Sequence, residues 1–511
     1  MAIKVTGLNS GLDTDSIIKE LMSAHSLKLT KVENKKTKNT WTQDKWKEMN
    51  AKIYALYTGD LSTARLAGSY KTKKAVSSNS DYVDATASTN AAAGAHTIKV
   101  NELASAQYVT GGKVAATATT DKLTSVLGVT AGTVITIDGA DTNTDGTVND
   151  NKITFTVDDD TTVADFVSNC KNAGLNASFD TTQQRFFISS KTSGVDQAFS
   201  ISAEKDGVDV SNAELAKLGL GKIENGVLDT GATVNGLTVV QAKDAEIVLD
   251  GAVITCSSNE TEINGIKLSL KQQTAEAVTI TVSNDTDAVY DMVKSFINTY
   301  NDVLGAMNTA YYAGSSKGYD PLSDDDKEAM TDDQIEKWET KIKDSLLRRD
   351  TTLGSLITAF KGAMNTPITA SDGKTYTLAS LGICTSTDYN EKGLLHIKGD
   401  KDDSTYADST NTLQKMLEEK PEIVAEVIQG VADKLYTTMT KKMGSTSLSS
   451  ALTFYNDKQL TKNNTNYEKE ISKLKTKLEE IEERYYKQFT AMETALAKLN
   501  QQQSSLSSLL G

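Results

Sequence analysis

Residues 467–499 read YEKEISKLKTKLEEIEERYYKQFTAMETALAKL. Apolar side chains recur in this stretch at steps of four, three, four, three, four, four, three, four and three residues, with Glu and Lys between them. This spacing predicts a coiled-coil helix that carries one stutter. Because so narrow a stripe cannot stabilise a lone helix, the segment requires a partner. The stripe consists of Tyr467, Ile471, Leu474, Leu478, Ile481, Tyr485, Phe489, Met492, Leu496 and Leu499, and Leu506 follows after a Gln run.

The other end of the chain predicts such a partner. Residues 7–22, GLNSGLDTDSIIKELM, begin with glycine-rich loop chemistry, offer Asp13 or Asp15 as a helix N-cap, and then become helical. Helical spacing covers residues 14–66, with a break or bend expected in the polar stretch near residues 38–42. We expect the two chain ends to pair with each other and their apolar stripes to contact further chains. The first stripe consists of Ile17, Ile18, Leu21 and Met22.

Between the two ends, the pattern changes to short alternating runs such as AHTIKVNELA and KITFTVDDD, which predict strands from about residue 77 to residue 283. One short helix is predicted inside this region, after a cap at Thr162, and helical spacing returns at Asp287. The fold class is therefore α+β and multidomain, with α-helical coiled-coil or bundle legs formed by both chain ends and β-rich head domains inserted between them. We predict an N-terminal export and coiled-coil segment at residues 1–42 and a C-terminal coiled-coil leg at residues 461–511. Residues 43–76 and 284–460 together form a helical bundle domain. Two head domains lie between these parts of the sequence: a β-rich domain of residues 77–125 with 235–283, and an α+β domain at residues 126–234.

Charge and composition exclude several functions. The chain has 54 Lys and Arg against 68 Asp and Glu, a net charge of −14, which argues against a nucleic-acid partner. No run of 18 apolar residues and no basic segment followed by an apolar one is present, so we expect neither membrane insertion nor a cleaved signal peptide. The three cysteines are far apart and show no CxxC spacing, which argues against a zinc site and a disulfide framework.

Catalytic signatures are missing as well. The three histidines, His25, His96 and His396, lie in predicted helix or strand positions without a nucleophile motif, so we interpret them as structural or surface residues. We therefore predict no enzymatic activity and no cofactor.

The sharpest metal-like motif is DTNTDGTVNDNK, residues 141–152. Asp141, Asn143 and Asp145 match the first half of a calcium loop, but Lys152 stands where a carboxylate would close the site. We therefore favour an Asx-rich hairpin over a calcium site.

With this layout, the chain resembles the flagellar filament cap family, also called hook-associated protein 2. The resemblance rests on GLNSGLDTDSIIKELM, on the tryptophan-bearing helix WTQDKWKEMNAKIYALYTGDL, and on SSNSDYVDATASTNAAAGAHTIKVNELASAQ. It continues through ITFTVDDDTTVADFVSNCKNAGLNASFD, which lies in the α+β head domain and is similar to the flagellin hook IN motif, and through DAVYDMVKSFINTYNDVL. It ends in the segment from Phe454 to Gly511 that contains the coiled-coil repeat.

The resemblance implies a ring-shaped homo-oligomer, a pentamer, secreted to the tip of the bacterial flagellum. It implies that the ring promotes folding and polymerisation of exported flagellin and prevents its loss. The implied partners are other copies of the chain, flagellin, the hook–filament junction protein, and the flagellar type III export apparatus with its chaperone.

The residues expected to form the assembly interface are the apolar positions of the two end helices. They are Leu8, Leu12, Ile17, Leu21, Ile53, Leu474, Leu478, Leu496 and Leu499.

Two alternatives stay open. A secreted adhesin or glycan-binding protein would use residues 80–283 as its binding head and the helices as a stalk. Another axial component of the flagellum, such as flagellin or the junction protein, would share the terminal helices.

Overall fold

The computed structural model describes residues 13–139 and 151–510, with side chains described through residue 507. Its contacts divide the chain into two units. The helical unit comprises the residues before Lys71 and after Asp285, and the β-rich unit comprises residues 71–285. This is the predicted fold class: helices from both chain ends pack together, and the β-rich part is inserted between them.

Helices form where the helical spacing predicts them, and the β-rich unit contains one helix more than the single one predicted there. None of the helices of the described residues is both long and apolar enough to cross a membrane. In chain order they are α1 Thr14–Thr58, α2 Asp60–Arg65, α3 Val163–Asn172, α4 Ser211–Lys217, α5 Thr286–Tyr311, α6 Asp324–Glu328, α7 Asp332–Asp344, α8 Thr351–Met364, α9 Thr412–Glu419, α10 Pro421–Lys442 and α11 Asp457–Leu510. Helices α3 and α4 belong to the β-rich unit.

Helix α1 is continuous, so the break predicted as one possibility near residues 38–42 does not occur. It begins at the predicted cap, where the Asp13 side chain accepts a hydrogen bond from the Ser16 N–H at 3.0 Å. Neither Gly nor Pro interrupts the helix before its end at Gly59. The polar stretch stays helical because α11 partners it: the Asn39 side chain donates to the Leu460 carbonyl at 2.9 Å.

The core of the helical unit joins α1 and α2 to α5, α8 and α10. Large side chains from separate helices fill it, among them Ile53, Phe296, Tyr300 and Phe360, all almost fully buried. Two small hairpins lie within the same unit: β19 (Ile368–Thr369) pairs with β20 (Thr375–Tyr376), and β21 (Ile383–Thr385) pairs with β22 (Leu395–Ile397).

The strands of the β-rich unit form sheets that are antiparallel throughout the described pairs. In chain order all strands are β1 Lys73–Ser77, β2 Val83–Ala87, β3 Gly94–Glu102, β4 Tyr108–Thr110, β5 Val134–Asp138, β6 Lys152–Thr156, β7 Asn176–Asp180, β8 Arg185–Ser189, β9 Ser200–Lys205, β10 Val208–Asp209, β11 Ile223–Glu224, β12 Val227–Leu228, β13 Thr238–Val240, β14 Ala245–Leu249, β15 Ala252–Cys256, β16 Glu260–Ile263, β17 Ile266–Leu270, β18 Val278–Asn284, β19 Ile368–Thr369, β20 Thr375–Tyr376, β21 Ile383–Thr385 and β22 Leu395–Ile397.

The β-rich unit has two hydrophobic cores. One lies under the sheet ordered β1-β18-β3-β14-β15 and the sheet ordered β16-β17-β2. The other lies among the β5–β9 sheet, the β13-β4-β8-β7 sheet and the predicted helix α3, which begins at a Thr162–Asp165 capping box.

The division between the two cores differs from the one drawn on the sequence. Residues 109–123, assigned there to the first head domain, contribute Val109, Val114 and Leu123 to the second core. The reason is the pairing of β4, which lies between β8 and β13 and so joins the second sheet.

Candidate assembly interface

The two chain ends pair as an antiparallel helix pair, α1 with α11. The register is fixed by polar contacts along its length, in which lower residue numbers of α1 meet higher ones of α11. These contacts are Asn39 to Asn464 at 2.8 Å, Lys36 to Glu468 at 3.0 Å, Glu33 to Lys475 at 3.4 Å and His25 to Tyr485 at 3.2 Å. Because the ion pairs are exposed, they contribute at most about 1 kcal/mol each and serve mainly to set the register.

The α1–α11 pair leaves much of its own apolar stripe uncovered. In α11, Leu474, Leu478 and Leu496 are half-buried, whereas Leu499 is 59% exposed. In α1, Ile17 is half-buried and Leu21 is 40% exposed. No apolar side chain among the described residues of α11 is fully buried. The leg, meaning α1 up to residue 36 and α11 from residue 468 onward, therefore retains apolar surface that a further chain can cover.

Three of the predicted interface residues stand apart from this surface. Leu8 and Leu12 lie outside the described residues. Ile53 is fully buried in the core of the helical unit, so its packing is satisfied within its own chain. The periodicity identified the apolar side of the helix correctly at Ile53, but it carries no information about which partner covers that side.

One exposed apolar residue of the leg was missed by the sequence reasoning. Leu27 in α1 is 62% exposed. It lies six residues after Leu21, off the three-and-four spacing that selected the stripe, so no periodic signal marks it.

The calcium candidates Asp141, Asn143 and Asp145 lie outside the described residues. The strands on either side, β5 and β6, pair antiparallel with Asp138 opposite Lys152. Within residues 13–139 and 151–510, no group of three His, Cys, Asp or Glu side chains is arranged to hold a metal ion.

Each histidine has a structural partner. His25 contacts Tyr485, and His96 Nδ1 lies 2.6 Å from the Asp250 carboxylate at the β14–β15 turn. His396 in β22 is held from both sides, with Nδ1 at 2.6 Å from Asp403 and Nε2 at 2.8 Å from Glu391. Burial alone would lower the pKa of His396, but its hydrogen bonds to Asp403 and Glu391 raise that pKa above its usual value. Both ring nitrogens of His396 are therefore engaged by carboxylates, which supports a structural role for this residue.

Replacing His396 by Gln is expected to destabilise the helical unit by about 2 kcal/mol near pH 6, because the charged hydrogen bonds to Asp403 and Glu391 are lost. The pKa of His396 is raised in the folded state. The stabilisation that protonated His396 contributes is therefore fully present below its pKa in the unfolded chain, about 6.5. It is lost as the pH rises through the higher pKa of the folded state. Urea unfolding of parent and variant near pH 6 and pH 9 should show a smaller difference at the higher pH. His25→Gln, on the exposed leg, is the control. An equal loss of unfolding free energy at both pH values in His396→Gln would contradict a stabilising role for protonated His396.

Comparison with known proteins gives consistent matches. A family model described as the flagellar hook-associated protein 2 C-terminus matches residues 242–501, and the corresponding N-terminus model matches residues 10–107. The matched ranges include all of α1 and include α11 as far as residue 501.

Individual relatives agree with the family models. Flagellar hook-associated protein 2 of Halalkalibacterium halodurans is 25% identical over an alignment of 549 residues that covers 99% of each chain. The A-type flagellar hook-associated protein 2 of Pseudomonas aeruginosa is 27% identical over 286 residues, which covers 55% of this chain and 52% of that one. The crystal structure of the D1-D2-D3 domains of the flagellar cap protein FliD from Escherichia coli has the same fold, with a TM-score of 0.52 at 21% identity over 78% of this chain and 96% of that one.

Proposed function

The chain belongs to the flagellar hook-associated protein 2 family, and from that premise we propose that it caps the distal tip of a bacterial flagellar filament. The cap is a ring of several copies, five by resemblance to the family. It promotes folding and polymerisation of exported flagellin and prevents flagellin from escaping. The chain reaches the tip through the flagellar type III apparatus with its chaperone, acts outside the cell, and adjoins the hook–filament junction protein when growth begins.

The observation that supports this proposal best is the partly covered apolar stripe of the leg. Leu21 and Leu499 expose apolar surface on the two paired helices. Covering such surface is favourable by about 25 cal/mol per Å², so neighbouring copies or flagellin subunits gain free energy by packing there. Each single contact is small, which allows a leg to release one site and bind the next.

Low local stability supports the same role. The core of the helical unit ends near Tyr455 and the half-buried Leu460. Beyond these residues, the described apolar side chains of α11 are half-buried or exposed. Segments with few buried apolar contacts open at lower free energy than core helices, so the leg can rearrange while the bundle stays folded. The work of each insertion step then comes from folding of the arriving flagellin.

The leg surface can be tested without disturbing the core. In a strain that lacks the gene, Leu21→Asp with Leu499→Asp is expected to shorten filaments and increase flagellin in the medium at least several-fold relative to the parent. Ser23→Asp with Gln502→Asp, two exposed polar positions on the same helices, adds the same charge and is expected to behave like the parent. Normal filaments with the leucine variant would contradict the leg's role.

A second candidate function, glycan binding by the β-rich unit, is favoured by one specific surface. Tyr108 and Phe187, on the paired strands β4 and β8, are 53% and 38% exposed on the outward face of the sheet. An open groove of about 630 Å³ lies there, and Lys171, Asn176 and Lys191 also line it. Exposed aromatic rings beside polar and cationic groups suit acidic sugars. Binding to immobilised sialylated glycans that is lost in Tyr108→Ala with Phe187→Ala would support this candidate, and absence of binding by the parent chain would contradict it.

A further inference from the structure

A cluster of cations without ion pairs lies at the C-terminal end of α5. We call Arg348, Arg349, Lys361 and Lys392 the basic patch. Within the described residues none of the four makes a salt bridge, although the chain has more acidic than basic residues. Two carboxylates close to the patch in sequence are engaged elsewhere: Asp350 caps α8, and Glu391 binds His396. The patch therefore carries positive charge that no described carboxylate pairs with directly.

The members of the basic patch come from distant parts of the sequence and meet around Tyr312. The Lys392 Nζ lies 4.6 Å from the centre of the Tyr312 ring, and Arg348 Nε donates to the carbonyl of Ala313 at 2.9 Å. The Arg349 N–H donates to the carbonyl of Tyr311 at 3.0 Å. These contacts bring the side chains of Arg348 and Lys392 and the backbone of Arg349 to the C-terminal end of α5.

Lys361 and two tyrosines belong to the same region of the fold. Partial burial lowers the pKa of Lys361, and the positive charge of Lys392 lowers it further. Tyr312 is 54% exposed, and Tyr389, three residues before Lys392, is 85% exposed. Arg and Tyr are the residue types enriched at protein–protein interfaces, where they supply contact area as well as hydrogen bonds.

The complementary charge lies at the other end of α7. Residues 324–333, DDDKEAMTDD, which we call the acidic segment, contain six carboxylates and one lysine. Asp324 and Asp325 are exposed and make no ion pair within the described residues. The acidic segment ends in the first turn of α7, and the 13 residues of that helix, at about 1.5 Å each, span roughly 20 Å to the end that leads to Arg348. Helix α6, where the segment begins, lies against α7, since Lys327 pairs with Glu339 at 3.0 Å. One chain therefore carries opposite charges at two separate places on the helical unit.

We propose that the basic patch of one copy binds the acidic segment of a second copy of this chain. The inference rests on the proposed ring and names the contact that would build it. A ring needs a heterologous interface, in which two different surfaces of each copy meet, and this pair of surfaces has that property. Charge complementarity would also set the order of the two surfaces and reject head-to-head contacts.

The space beside the basic patch suits a bound segment. A groove of about 500 Å³ begins at Ala313 and runs between α1, α5 and α7. Its apolar lining includes Met49, Ala310 and Leu347. Its charged lining consists of three lysines, Lys45, Lys52 and Lys343, and two carboxylates, Glu48 and Asp344. The sequence DKEAM within the acidic segment presents carboxylates together with the apolar side chains of Ala329 and Met330, which match that lining.

Charge reversal tests the contact. The variants are Arg348→Glu with Lys392→Glu, Asp324→Lys with Asp325→Lys, and all four changes in one chain. Self-association of the purified full-length chain is measured by sedimentation at low and high salt. Each pair of substitutions is expected to weaken association at least tenfold at low salt, and the four-fold variant is expected to regain the parent's association because both surfaces are exchanged. Lys434→Glu with Lys441→Glu, two exposed lysines of α10, makes the same charge change as a control.

Several results would overturn the contact: parental association in either paired variant, failure of the four-fold variant to recover, or equal weakening by the α10 control. A monomeric parent chain would overturn it as well. Filament growth in the deletion strain is scored separately. Parental filaments with either paired variant would leave the cap role standing and reject only this interface.

Discussion

A chain that ends at Lys462 is expected to lose all filament growth while both of its units stay folded. The truncation removes most of α11, including Leu474, Leu478, Leu496 and Leu499. The part of α1 that belongs to the leg, up to residue 36, then has no helix to pair with. The core of the helical unit is untouched, because its last buried members are Phe454 and Tyr455. The β-rich unit contains no residue beyond Asp285. Assembly should therefore fail without global unfolding.

The measurement is complementation of a deletion strain with the truncated chain, scored by electron microscopy. The purified truncated chain provides the folding control, because its main thermal transition should stay within a few degrees of the parent's. Filaments of parental length with the truncated chain would contradict the need for the leg. Loss of the main thermal transition would instead show that α11 stabilises the core.

Trp46→Ala is expected to lower the free energy of unfolding of the helical unit by about 3–5 kcal/mol. Trp46 is 3% exposed, and its ring stacks on Tyr455 with centroids 5.5 Å apart and an interplanar angle of 4°. The substitution leaves a cavity where α1 meets the segment that leads into α11, and it also removes the stacking on Tyr455. Urea unfolding measures the loss.

Trp338→Ala is the matched control for that substitution. Trp338 is only half-buried, and the centroid of its ring lies 4.4 Å from that of Tyr319. Its Nε1 donates to the Asp320 carbonyl at 2.8 Å. Its removal is expected to cost about 1–2 kcal/mol. Equal losses for the two variants would contradict the central position assigned to Trp46.

Sequence pattern was enough to predict the architecture. The three-and-four spacing from Tyr467 to Leu499 and the stripe at Ile17 and Leu21 each report a helix with one apolar side, and two such helices at the ends of one chain can pair. Alternation in runs such as KITFT reports strands in the same local way. These signals are contained in a few neighbouring residues, which is why they survive without a structure.

Features that depend on distant residues could not be predicted. Ile53 follows the same helical period as Leu21, yet one packs in the core and the other is exposed, because neighbours far along the chain decide the outcome. The pairing of β4 with β13 moved residues 109–123 to another core. The hydrogen bonds of His396 to Asp403 and Glu391 depend on the conformation of the loops beside β22, for which the sequence contains no motif.

The basic patch was also beyond sequence reasoning. Arg348, Lys361 and Lys392 carry no motif, and only the fold places them around Tyr312. By contrast, the acidic run at residues 324–333 is obvious in the sequence, where it reads as a solvated loop. The partner that we propose for it is identified only when the structure locates the cations without ion pairs.

The most direct test of the cap role is deletion of the gene in its own bacterium, with and without the full-length chain supplied in trans. Filament length is measured by electron microscopy, and flagellin in the medium is measured by immunoblot. A cap predicts cells with few or no filaments that release flagellin, and full restoration by the supplied chain. Filaments of normal length in the absence of the chain, with no released flagellin, would contradict the cap role.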